Sequence, residues 1–122
     1  MDAVTVKCRD LMVGDWITNR NGFPMQITNV GEDYAYATFE GNEGDPWEFD
    51  DKDSEPYPIP LTPKILEKNE EVKSLTMFLK NEQGIDCLSL IYIPIINLYY
   101  VHELQRALRL CGLDELADNF KI

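Results

Sequence analysis

The chain contains one histidine, His102, and the next residue is Glu103, within the stretch YYVHELQRALRLCG from Tyr99 to Gly112. A His-Glu pair opens the helix of many zinc hydrolases. There a second histidine four residues on brings both imidazoles to one face, and the glutamate acts as general base. Position 106 is Arg106, whose guanidinium would repel the metal. Cys111 cannot supply the missing ligand from the same helix, since at ~100° per residue it lies about 180° around from His102. The same rotation removes it as a nucleophile for His102, and Cys8 and Cys87 stand in no local signature of one. No metal, no cofactor and no catalytic residue is therefore assigned, and the chain is not expected to be an enzyme.

Other sites fail on similar grounds. An EF-hand frame started at Asp51, DKDSEPYPIPLT, has Pro56 where that loop needs glycine and Thr62 where it needs glutamate. No Gly-x-x-x-x-Gly-Lys phosphate loop occurs. Carboxylates on a solvated loop are not raised into the range of acid-base catalysis, although loose cation binding by them stays open.

The helix that must position His102 has two faces. Val101, Leu104, Leu108 and Cys111, with Ala107 beside them, fall on one stripe at spacings of three and four, the pattern of a helix packed on a core. His102, Arg106 and Arg109 form the opposite stripe, a small basic outer face. Two readings stand: a solvated face on which Glu103 pairs with Arg106, or a seat for an anionic partner or for the protein's own acidic loop. His102, near the positive end of the helix dipole, is expected to stay neutral.

The formal charge is −11, and most of it is local. Residues 40–58, EGNEGDPWEFDDKDSEPYP, hold eight acids against one lysine, together with three prolines and two glycines. This composition predicts an exposed acidic loop. Trp47 and Phe49 are apolar anchors within it: they either contact a partner or fold back and pin the loop. Phosphate contact requires clustered lysine and arginine, so direct nucleic-acid binding is not expected.

The remaining elements read as α+β, in a single domain spanning residues 1–122. Residues 1–39 form a β-meander, with a strand from Trp16 and a two-residue hairpin turn at Asn21-Gly22. The next strand buries Phe23, Met25 and Ile27 and is pushed toward an edge or a bulge by Pro24. A third strand, YAYATFEG, follows the turn Gly31-Glu32-Asp33. The meander is similar to the opening of SH3-like small barrels. In residues 59–122, Thr62 caps a short helix that starts at Pro63 and ends at Asn69. Strands follow at Leu75–Leu79 and Ile85–Ile93, joined by the polar turn Asn81–Gly84, and IINLYY adds a further short strand. The C-terminal helix, stopped by Gly112, packs on the sheet. The charged, non-apolar start gives no expectation of export. The run from Cys87 to Val101 is too short for a membrane span, and three scattered cysteines fit reduced thiols in a cytoplasm.

The segments YVHELQRALRLCGLDELADNF, PIPLTPKILEKN and DLMVGDWI, in this order, resemble a group of small proteins of unknown function from gut Bacteroidetes, many in prophages or other mobile elements. The resemblance implies an intracellular, phage-associated setting and assigns no catalytic residue. The chain departs from it after Asn69, where Glu70-Glu71 stand in place of an aromatic residue. Three functions remain: a non-enzymatic module that binds a protein partner or its own copy, an acidic DNA mimic that inhibits a nucleic-acid-binding host protein, or an enzyme with an unrecognised site. The first leads, with Trp47, Phe49, His102, Arg106 and Arg109 as its contact residues.

Overall fold

A computed structural model describes residues 4–80, 86–90 and 93–122, with side chains described outside 77–97. The protein is α+β and β-rich, and it divides into two compact units, Met1–Ile59 and Pro60–Ile122, where composition predicts one domain.

The first unit is a five-stranded antiparallel sheet: β1 (Trp16–Thr18), β2 (Pro24–Val30), β3 (Tyr34–Thr38), β4 (Trp47–Asp50) and β5 (Tyr57–Pro58), in the order β4-β3-β2-β1-β5. The chain meanders through four strands, and β5 returns to pair beside β1, matching Ile17 with Pro58 and Thr18 with Tyr57. Alternation puts Ile17, Met25, Ile27, Ala35, Ala37 and Phe49 on one buried face. Cys8, in a short 3-10 turn, and Leu11 complete this core.

Two details differ from expectation. Pro24 does not put β2 at an edge: the strand is central, and the proline is its first residue, where its missing N–H is tolerated. A bulge does occur, between Ile27 and Asn29. Phe23 is exposed and not buried, and its ring meets Phe39 edge-on at 4.6 Å. The hairpin before it is one residue longer than a two-residue turn. The Gly22 N–H bonds to the Asn19 carbonyl, Asn19 and Phe23 close the loop, and only Gly22 takes a positive φ, 79°. Asn19 selects this form, because its side-chain oxygen accepts the N–H groups of both Asn21 and Phe23.

The segment 40–58 is not simply a loop. It contains β4, paired residue for residue with β3 from Trp47 opposite Ala37 to Asp50 opposite Tyr34, and also β5. Phe49 supplies the cause: strand alternation carries it into the core, where it is fully buried.

The second unit begins with α1 (Pro63–Glu67), started by Pro63 and capped by Thr62, whose hydroxyl accepts the Ile65 N–H. A second short helix, α2 (Glu70–Lys73), follows directly. Asn69 between them is buried, and its amide pairs with both the N–H and the carbonyl of Lys121, at 2.7 and 2.8 Å. Strands β6 (Thr76–Lys80), β7 (Asp86–Leu90) and β8 (Ile93–Leu98) form an antiparallel sheet in that order. β7 ends before Pro94, which stands in the edge strand β8; the turn predicted at Asn81–Gly84 lies outside the described residues. Helix α3 (Val101–Leu110) and a further helix, α4 (Asp114–Asp118), complete the unit.

Gly112 ends α3 with φ at 77°. Its N–H bonds to Arg109 and that of Leu113 to Leu108, the paired bonds of a Schellman stop. At the other end, Glu103 reaches back and accepts the N–H groups of both Tyr99 and Tyr100 at 3.0 Å. These are donors that a helix start leaves without an intrahelical acceptor. Replacing this carboxylate should cost about 0.5–1.5 kcal/mol. Thermal unfolding of Glu103→Ala should show the loss together with faster amide exchange at Tyr99 and Tyr100; unchanged exchange at both would contradict the capping role.

Candidate functional site

Three carboxylates of the acidic segment bind backbone: Glu43 accepts the Gly41 N–H at 3.0 Å, and Asp50 and Asp51 organise the stretch after β4. Asp50 Oδ1 accepts the N–H groups of Asp53 at 2.6 Å, Lys52 at 2.8 Å and Ser54 at 3.4 Å, and the Asp50 N–H returns to the Ser54 carbonyl. The donors at Asp53 and Lys52 hold its carboxyl below the usual 3.8. Asp51 Oδ1 accepts the Cys8 N–H at 2.9 Å, and the Val6 N–H bonds to the Pro56 carbonyl. Both ends of the segment after β4 are thus tied to the N-terminal stretch around Val6 and Cys8.

Cys8 is fully buried at this junction. Burial, and then its hydrogen bond to Asp51, push its thiol up to about 12. It is a neutral, inert packing group at physiological pH and no nucleophile.

Trp47 and Phe49 share one face of β4, with ring centroids 6.3 Å apart, yet their environments differ. Phe49 is in the core, whereas Trp47 is 40% exposed at the edge of the sheet. Beside Trp47 lies a cavity of about 210 Å³ walled by Asn19, Arg20, Asp53, Glu55 and Tyr57. It gathers the β1–β2 hairpin tip, the first residue of β4 and the segment from Asp53 into β5. The sequence marks Trp47 but gives no sign of Asn19, Arg20 or Tyr57, which only strand pairing brings near it.

The basic stripe on α3 does not form as an outer face. His102 is buried at 8% exposure, and its ring stacks on Tyr100 at a centroid distance of 6.1 Å. Arg106 is half-buried, and Arg109, with its side chain 11% exposed, pairs with Asp118 at 3.4 Å. Glu103 caps the helix. Val101, Leu104, Ala107 and Leu108 are buried as the periodicity predicts, but Cys111 is exposed. Sequence periodicity missed α4, which takes up part of this face: its Ala117 carbonyl accepts from the fully buried Gln105, and its Asp118 takes Arg109. A helix covered on that side presents no basic stripe.

A wider groove of about 490 Å³ in the second unit lies among Glu67, Glu70, Leu116 and Lys121. The Asn69 amide in its wall is committed to the backbone of Lys121 and Ile65. Among the described residues no three His, Cys, Asp or Glu side chains are arranged to hold a metal ion. Among the same residues no helix is long and apolar enough to cross a membrane. Compared with family models, curated proteins and solved structures, the chain matches none.

The contrast between the cysteines is directly measurable. In the folded protein at pH 8, iodoacetamide should modify exposed Cys111 and leave Cys8 unreacted until denaturant is added, as read by peptide mass mapping. Labelling of Cys8 at a rate comparable to Cys111 would contradict its placement in the core.

Proposed function

We propose that the protein is a non-enzymatic protein-interaction module whose contact surface centres on Trp47. One observation carries this reading: Phe49 pins β4 to the core, and Trp47, two residues earlier, remains 40% exposed at a sheet edge. A large aromatic ring on a strand held in place is a preorganised anchor, the residue type that dominates binding energy at interfaces. The return of β5 beside β1 supports an SH3-like reading of the first unit, as the meander suggests. The acidic segment supports the interaction reading over a DNA mimic, because Asp50 and Asp51 each commit a carboxylate oxygen to backbone N–H groups and so shape the segment itself.

His102 and Arg109 leave the proposed contact set, since the burial of His102 and the Arg109–Asp118 pair give them structural roles, and half-buried Arg106 stays in it as a secondary contact. Phe49 remains as the support of Trp47 and not as a contact. The partner is a protein or a second copy of the chain, met in a cytoplasmic, phage-associated setting, with no direct nucleic-acid or membrane contact.

Trp47→Ala should leave the fold intact and weaken partner binding by roughly 2 kcal/mol, about thirtyfold. Calorimetry against a partner purified from host lysate reads this, and sedimentation of the isolated chain reads self-association. Binding and self-association both unchanged by Trp47→Ala would overturn the proposal.

A further inference from the structure

The cavity beside Trp47 has a definite chemistry. Two of its walls are aromatic, Trp47 from β4 and Tyr57 from β5, and two are carboxylates, Asp53 and Glu55. Among the described residues neither carboxylate has an ion-pair partner. Arg20 is the one cation in the lining, so the fixed charge of the cavity is negative, within a chain of net charge −11. At about 210 Å³ the space is below the ~300–1,000 Å³ of sites for drug-sized ligands, and it suits a single side chain.

We infer that this cavity seats a cationic side chain, lysine or arginine, from an exposed segment of a partner protein. The inference rests on the interaction-module reading and names what that module recognises. Aromatic faces attract cations through their quadrupoles, and adjacent carboxylates add direct charge pairing. A neutral apolar group would desolvate Asp53 and Glu55 without replacing their water contacts. An anion would face two carboxylates against one guanidinium, inside the negative field of the whole chain.

Three local constraints hold the walls before any ligand arrives. Asn19, buried, fixes the hairpin tip through the N–H groups of Asn21 and Phe23. Asp50 gathers the N–H groups of Lys52, Asp53 and Ser54. Pairing of Thr18 with Tyr57 sets the third wall. The site is therefore organised by backbone bonds that do not involve Asp53, Glu55 or Trp47 side chains, and those side chains can be changed without dismantling it.

The test uses the full chain, 15N-labelled, titrated with the N-acetyl methylamides of lysine, arginine and norleucine. The two cationic probes should shift the Trp47 indole N–H and the Asn21 amide to saturation at millimolar concentration, and norleucine should not. The double variant Asp53→Asn/Glu55→Gln, which keeps Trp47, should weaken the cations roughly fivefold or more, and added salt should act in the same direction. Arg20→Ala should tighten them. Equal shifts with norleucine, unchanged binding in the double variant, or weaker binding in Arg20→Ala would each overturn the cation seat. If the cations fail to bind while a purified partner still requires Trp47, the seat is wrong and the interaction module survives; if neither depends on Trp47, both fall.

Discussion

The first unit depends on carboxylates that bind its own backbone. Eight acids in nineteen residues would ordinarily repel one another and keep a segment extended in water. Here Phe49 supplies an apolar anchor, and Asp50 and Asp51 turn two of those charges into acceptors for four N–H groups, those of Cys8, Lys52, Asp53 and Ser54. Hydrogen bonds to an ionised acceptor are stronger than neutral ones, and each donor satisfied is one that a tight loop would otherwise leave to water. Together with the Val6–Pro56 bond and the pairing of β5 with β1, these bonds set the approach of β5 and the position of Tyr57 near Trp47.

This arrangement accounts for what the sequence reveals and what it hides. Alternation exposes Met25 and Ile27 as a buried face, and Thr62-Pro63 and Gly112 stand out as helix boundaries, because these signals are local. The segment 40–58 reads as a loop because its composition is that of a loop; only the long-range burial of Phe49 overrides it. Pro24 misleads for a related reason: a proline forbids a ladder donor at its own position but does not say whether the strand beyond it is central. The candidate site was legible in one residue, Trp47. Asn19 and Tyr57 carry no chemical signature in sequence, and their nearness to Trp47 follows from strand order alone.

Helix α3 shows the converse. Its apolar stripe and its His-Glu pair are both visible in sequence, but the pair serves structure: Glu103 closes the start of the helix, and His102 is buried against Tyr100. The basic stripe was a projection of a lone helix. Once α4 supplies Ala117 to Gln105 and Asp118 to Arg109, two polar residues of α3 become fixtures of a helix pair.

Titration reads the role of these carboxylates directly. The carboxyl of Asp50, held low by the Asp53 and Lys52 N–H groups, should contribute stability in full above its usual 3.8 and lose it only as pH falls through the lower folded value. Amide shifts of Lys52, Asp53 and Ser54, followed by NMR from neutral pH downward, should therefore move together with a midpoint below 3.8, while the Phe49 amide stays protected above it. A midpoint at or above 3.8, with rapid exchange of these amides at neutral pH, would show that the acidic segment is a solvated loop after all.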